Sequence, residues 1–398
     1  MRNLLVTRSL PRPERGGTDL RSWQTVQALM HAGPVGVFGL HPEPQDPIPP
    51  AGVELWRATS DPHLADTPGP AQGSLDWLRD PEGHPSDRFF SELGLAEVMA
   101  AVEDYRPDVV VLDQVWLRRY LPSLREGPHA LVLNTHNAEA ALQAGMAARR
   151  ERDGAPALIV KVLPKRTAAL EGAAVAAADQ VWVCSEADAR VLRESYDPPG
   201  EIVVFPNSID VRSYGARQHS HNGFSLLFPG QFMYPPNAEA ALYLARDVLP
   251  PLRREFPDTR LVLMGRAPTR EMFEAAEQGE GIEVTGAVPD VRPYLAAASA
   301  MPVPLFEGGG TRFKVLEAFA AGVPVVSTAK GAEGLEAVPG EHFLLAESAP
   351  EFVEQLRVLR LDAELGRELA ARAHELVSER YSWDAAGRTV AAALARLV

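Results

Sequence analysis

The constraint that narrows the fold most is an alternation of short apolar runs with helical segments, repeated in two series along the chain. LLVT (Leu4 to Thr7), a loop with Gly16 and Gly17, a helix on which Leu20, Trp23, Val26 and Met30 recur at helical spacing, a stop at Gly33 and the run PVGVFG read as strand, loop, helix, strand. Such units build parallel sheets, whose strands are covered on both faces and so appear as continuous apolar runs. The first series continues with a helix near Leu95 to Tyr105, strands Val109 to Leu112 and Leu131 to Leu133, and a helix over Lys165 to Ala178. The strand VWVC and a helix from Ala187 to Tyr196 complete it. From His41 to about Ser91 proline, glycine and aspartate are dense, which predicts an irregular excursion of the kind that carries ligand contacts.

IVVFPNSID and the polar RQHSHNG mark the best boundary. Beyond it the second series runs through strand Leu226 to Phe228, a helix Ala238 to Glu255, strand LVLM, a helix near Arg270 to Gln278, and strand IEVTG. A helix near Val291 to Ala298, strand MPVPLF, three glycines, a helix Phe313 to Ala321, strand PVVST and a helical segment from Glu351 follow. A chain of 398 residues exceeds one ordinary core. The expected architecture is therefore α/β, with Rossmann-like parallel-sheet domains at residues 1–206 and 207–380 and a helix at 381–398 packing back on the first. Ligands in such sheets sit at the carboxyl ends of the strands.

Bulk properties remove several classes. With 46% hydrophobic and 23% charged residues, collagen-like, coiled-coil and disordered chains are excluded. The 53 acidic against 39 basic side chains leave a formal charge of -14, which opposes a sequence-independent grip on a nucleic-acid polymer. Cys184 is the single cysteine; in VWVC it reads as a buried strand thiol, and a cytoplasmic setting is expected. The apolar patch in MRNLLVTRSLP is too short for a signal-peptide core, and no uncharged apolar run reaches about 18 residues. The basic stretch Arg149, Arg150, Arg152, Lys161, Lys165 and Arg166 has two readings: a solvated helix face, or peripheral docking on an anionic inner membrane face or lipid acceptor.

In LFEGGGTRFKVLEAFAAGVPVV a strand empties into three glycines and a helix restarts at once. Glycine lets ligand phosphates approach the backbone and permits positive φ. Free amides and the dipole at the helix start favour an anion, and Thr311 adds a hydroxyl. Arg312 and Lys314 supply charge, while Glu317, about one turn after Phe313, is an acceptor-only carboxylate suited to a ribose diol. The bland alternative is a βα turn with solvated charges; the strand, glycines, helix, two cations and carboxylate in one short stretch favour a ligand site.

GGGTRFKVLEAFAAGVPVVSTAKGAEGL resembles the donor-site segment of bacterial glycosyltransferase family 4. FPGQFMYPPNAEAALYLARDVLPPL and RLVLMGRAP resemble the opening of that family's donor domain, VVFPNSID its interdomain link, and THNAEAAL the segment of the first domain that carries a histidine. The resemblance implies a GT-B fold with two Rossmann-like domains facing a cleft. It also implies retaining transfer from a UDP- or GDP-linked sugar, used as co-substrate with no further cofactor, to an acceptor the sequence does not name. Donor contacts are implied for Gly16, Gly17, Gly230, Gly265, Arg266, Val288, Gly309, Gly310, Thr311 and Glu317, and catalytic roles for His136, Arg312 and Lys314. A lone histidine is more often a structural residue; the resemblance turns His136 toward the active site, with Asn137 and Glu139 as supports.

The chain departs from the family pattern twice. Of the two glutamates that relatives carry with seven residues between them, only Glu317 is present, and Gly309, eight positions earlier, stands where the sugar-reading carboxylate would be. The Arg and Lys of a GRLxxxK pattern are replaced by Gln231 and Pro236, which leaves Arg312 and Lys314 to compensate a diphosphate. Glu186 and Asp188 suggest a metal pair only superficially, since Ser185 is placed to cap the following helix; with no DxD motif, a metal-free site is expected. Two rivals remain at this level: a sugar-nucleotide 2-epimerase and a nucleotide-sugar-binding protein without catalysis.

Overall fold

The computed structural model describes residues 1–398 except 13–16, 43–46, 65–74, 153, 155, 216–222, 310–311 and 398. The chain divides into two compact units: Met1–Asn207 with Gly309–Thr311 and Ala386–Val398, and Ser208–Gly308 with Arg312–Ala385.

Unit 1 is built on a parallel sheet of β1 (Asn3–Thr7), β2 (Val35–Gly39), β3 (Val53–Ala58), β4 (Val109–Asp113), β5 (Ala130–Asn134), β6 (Gln180–Val183) and β7 (Glu201–Val204), in the order β3-β2-β1-β4-β5-β6-β7. Alternate side chains serve opposite faces. Leu4, Val6, Val110, Leu112, Leu131 and Leu133 enter one core, whereas Leu5, Val109, Val111, Val132 and Trp182 enter the other. Both faces need helical cover, which explains the unbroken apolar strands. The second core takes Val26, Ala28 and Leu29 of helix Gly17–Met30 and also Ala386, Val390, Ala393 and Leu394 from the chain's last helix, Trp383–Leu394.

Local chemistry explains where the sequence expectation shifts. β3 lies inside the stretch expected to be irregular; its register with β2 slips once, and Glu54 and Arg57 point to solvent, as suits an edge strand. The helix expected from Lys165 starts at Ala157, because the fold tolerates Pro164 inside it. Ser185 caps helix Glu186–Tyr196 by accepting from Asp188 N.

Unit 2 holds two parallel three-stranded ladders. β8 (Ser225–Pro229), β9 (Arg260–Met264) and β10 (Ile282–Gly286) run in the order β10-β9-β8, and β11 (Met301–Val303), β12 (Val325–Ser327) and β13 (Leu344–Leu345) in the order β11-β12-β13. A parallel bridge between Leu226 and Ala300 joins them. The helix after β8 begins at Pro235 and not Ala238, since the first helical turn needs no N–H from proline. It widens to π geometry over Leu244–Val248 just before Pro250 and Pro251, which cannot donate into the ladder. Among the described residues no helix is long and apolar enough to cross a membrane.

Candidate functional site

In unit 2 the expected donor residues Gly230, Gly265, Arg266 and Val288 lie at the carboxyl ends of β8, β9 and β10. Gly230 N donates to Met264 O at 2.8 Å and Gly265 N to Gly286 O at 3.0 Å, so the turns after β8, β9 and β10 are laced together. Gly265 has φ 149°, and a Cβ there would stand 1.6 Å from Gly230 O. Only glycine fits that approach. Arg266 is exposed and its carbonyl accepts from Phe232 N at 3.0 Å; Val288 lies just past β10, partly exposed.

The glycine run leads into helix Phe313–Ala320. Gly308 carries a positive φ of 95°, and a Cβ there would meet Tyr234 Oη at 2.3 Å. Gly309 is partly exposed, while Gly16, Gly310 and Thr311 lie outside the described residues.

The three charged residues that follow are not solvated surface groups. Arg312 is 6% exposed, its Nη2 3.4 Å from Glu333 Oε2, and its buried Nε has no hydrogen-bond partner. Lys314 Nζ donates to Asn237 Oδ1 at 2.8 Å and lies 4.2 Å from the centroid of the Phe228 ring. Asn237 Nδ2 in turn donates to Gln231 O at 3.0 Å, so Lys314 is tied through the first turn of helix Pro235–Tyr243 to the loop after β8. Glu317 Oε1 accepts from Tyr214 Oη at 3.0 Å.

Lys314 and Glu317 keep part of their surface open, yet protein closes around both. Burial, and next the Arg312 guanidinium, lowers the Lys314 ammonium from 10.5 to about 7 against the pull of Glu317. Burial raises Glu317 from 4.5 to about 7, with the Tyr214 bond and Lys314 opposing. The pair is poised to change charge around neutrality and to respond to a bound anion.

In unit 1 the residue that organises the site is one the sequence did not single out. Asp113 ends β4, fully buried, and its carboxylate accepts from Ser22 Oγ at 2.5 Å, Thr7 Oγ1 at 3.1 Å, Asn134 Nδ2 at 2.7 Å and His136 Nε2 at 2.9 Å. Burial works to raise its pKa, but the charge and hydrogen bond of His136, the Ser22 bond and the Arg21 charge outweigh it and hold the group below its ordinary 3.8. Arg21, also buried, donates to Phe205 O at 2.7 Å and to Asn134 Oδ1 at 2.9 Å. The expected supports of His136 are thus corrected: Asn137 Nδ2 bonds to Glu139 Oε1 at 2.9 Å, and the imidazole is held by Asp113. A carboxylate closing an otherwise apolar parallel strand, VVVLD, was the signal available in the sequence. Tyr214 and Asn237 had none, because each is distant in sequence from its partner.

Gly17 opens helix Gly17–Met30 with φ 53°. Cys184 stands one residue past β6, partly exposed and not within the strand; its thiol donates to His136 O at 3.2 Å, and burial pushes it up to about 11, which disfavours the thiolate. Of the basic stretch, Arg166 donates to Trp77 O and Gly83 O, each at 2.7 Å, whereas Lys161 and Lys165 are exposed.

Two Rossmann-like parallel-sheet units, with glycine turns and charged groups at the carboxyl ends of the strands, make up a GT-B fold. Comparison with known proteins agrees. Residues 223–362 match the family described as glycosyl transferases group 1. Sucrose-phosphate synthase from Thermosynechococcus elongatus has the same fold, with a TM-score of 0.74 at 18% identity over 100% of this chain and 99% of its own. Anabaena HepE in complex with UDP and glucose superposes with a TM-score of 0.63 at 16% identity, covering 98% of this chain and 99% of its own. In sequence, phosphatidyl-myo-inositol mannosyltransferase of Mycolicibacterium smegmatis is 29% identical over 46% of this chain and 49% of its own length. The chain spans about half the length of the curated relatives it matches.

Proposed function

We propose that the chain transfers a sugar, with retention and without a metal, from a UDP- or GDP-linked donor to an acceptor hydroxyl. The observation that carries this reading is the group at the start of helix Phe313–Ala320, where Arg312, Lys314 and Glu317 are enclosed by protein beside the glycine turns. Arg312 and Lys314 compensate the diphosphate as its bond to the sugar breaks. Glu317, with Tyr214, takes the ribose diol. The cation that relatives place in the loop after β8 is supplied by Lys314 reaching back to Asn237. The solved complex of HepE with UDP and glucose supports a nucleotide-sugar donor.

His136 is the positioning group of unit 1 in this reading. Nε2–H donates to Asp113, which leaves Nδ1 to orient a hydroxyl of the donor sugar or acceptor. No carboxylate is assigned as nucleophile. The acceptor oxygen bonds to the anomeric carbon on the face from which the diphosphate leaves, and the departing phosphate oxygen takes the acceptor proton while Arg312 and Lys314 stabilise its growing charge. Gly309 offers only backbone to the sugar, so donor selectivity rests on other contacts.

A thermal-shift screen with UDP-, GDP-, ADP- and TDP-sugars, followed by donor turnover, tests the assignment. One nucleotide class raises the melting temperature in proportion to the logarithm of its saturation. Arg312→Ala lowers turnover by about 100-fold or more, and Glu317→Ala weakens nucleotide binding. Unchanged kinetics in both variants, or no stabilising nucleotide, sinks the site; an epimerised nucleotide sugar formed without acceptor assigns the chain to the other enzyme class.

A further inference from the structure

The strand order of unit 1 reverses between β1 and β4, and a pocket of about 160 Å³ opens at the carboxyl ends of these strands. That switch point is where open α/β sheets bind ligands. Thr7 and Arg8 enter from the end of β1, Thr18 and Ser22 from the first turns of helix Gly17–Met30, and Gln114 from the residue after Asp113. The volume lies well below the roughly 300 Å³ at which drug-sized sites begin, so the pocket suits one small polar group.

Three features mark it as built for a ligand. Gln114, 6% exposed, holds a φ of 83°, a conformation unfavourable for a residue with a side chain and one that collects at binding sites. His41 also lines the pocket, and its buried Nδ1 has no hydrogen-bond partner. Arg8 has no carboxylate within ion-pair distance among the described residues. Its guanidinium stacks 4.7 Å from the Phe89 centroid, with Arg88 4.9 Å from the same centroid. Asp19 lines the pocket too, accepting from Ser9 Oγ at 3.4 Å, but the repulsion Arg8 feels from Arg88 exceeds the attraction of Asp19. Among the described residues no carboxylate pairs with Arg8, in a chain of formal charge -14.

We propose that this pocket recognises the anionic substituent of the acceptor, a phosphate or a carboxylate on a sugar or polyol, with Arg8 as the specificity-determining residue. This rests on the transferase reading of the same unit. Ser22, which lines the pocket, also bonds Asp113, and Asp113 holds His136, so an acceptor anchored at Arg8 reaches the positioning group through two hydrogen bonds of framework.

The test is a calorimetric titration of the full chain with inorganic phosphate, glucose 6-phosphate, glucuronate and glucose, with and without UDP. At least one anion binds wild type about tenfold or more tightly than glucose, and the preferred arm tells phosphate from carboxylate. Arg8→Ala removes that preference, a loss of roughly tenfold to a hundredfold for one charge-assisted contact, and Arg8→Lys restores part of it. Exposed Arg88→Glu, a milder change to the fold, weakens the preference through the field alone. UDP affinity stays constant throughout. If no anion binds below about 10 mM, or Arg8→Ala and Arg88→Glu both keep the preference, the inference is wrong. Failure of UDP itself to bind would instead overturn the donor site.

Discussion

Lys314 allows the donor assignment to be tested through protons. Its ammonium, lowered by burial and by Arg312 to about 7, is roughly one-tenth charged at pH 8 in the free protein. A diphosphate against Nζ requires the charged form, so binding draws a proton from solvent. Each pH unit between the free and bound pKa values then costs about 1.36 kcal/mol, a factor of ten in affinity. With the bound pKa returned to about 9 or above, UDP affinity falls roughly tenfold to twentyfold between about pH 7.5 and about pH 9. That window lies above the value near 7 for Glu317, which is mostly ionised across it, and above the titration of the terminal phosphate near pH 6. Calorimetry in two buffers of different ionisation enthalpy should report uptake close to one proton at about pH 8. Lys314→Arg keeps its charge at every accessible pH and should flatten the profile. A wild-type affinity that varies by less than about twofold across the window, with equal heats in both buffers, would refute the reasoning.

Other outcomes follow from the same geometry. Tyr214→Phe removes one bond to a buried carboxylate and should weaken UDP binding by about tenfold in the same calorimetric assay, with turnover of saturated enzyme little changed. Asp113→Ala leaves the Arg21 charge and the four donors Thr7, Ser22, Asn134 and His136 without their carboxylate and should cost about 3 to 5 kcal/mol in urea unfolding while lowering turnover. Because the folded pKa of Asp113 lies below the unfolded one, its stabilisation is complete above about pH 4 and is lost as pH falls through the folded value; an acid-unfolding midpoint identical in Asp113→Asn would contradict this. Gly265→Ala drives a methyl into Gly230 O and should cost more than about 4 kcal/mol by chemical denaturation, whereas Gly145→Ala, in helix Glu139–Gly145 with open space around it, should be neutral or stabilising by up to about 1 kcal/mol.

Much of the architecture was legible because it depends on local pattern. Unbroken apolar strands alternating with helical periodicity require a parallel sheet covered on both faces, and Ser185 announces its helix by side-chain chemistry alone. The glycine run with Arg312, Lys314 and Glu317 was legible for the same reason, since one strand, one turn and one helix contain it. β3 was missed because an edge strand with charged residues and proline-rich flanks lacks the apolar signal of a central strand.

Tertiary structure decided what depends on partners far apart in the chain. Tyr214 meets Glu317 across 103 positions and Lys314 meets Asn237 across 77, contacts that no spacing rule reaches. Asp113 gains its role only when β1, β4, β5 and helix Gly17–Met30 converge on one carboxylate. The sequence by itself determined which chemical groups are present and which strand ends they sit on. The tertiary structure decided their charge, because desolvation by residues remote in sequence is what moves Lys314 and Glu317 to the edge of ionisation while Asp113 stays charged.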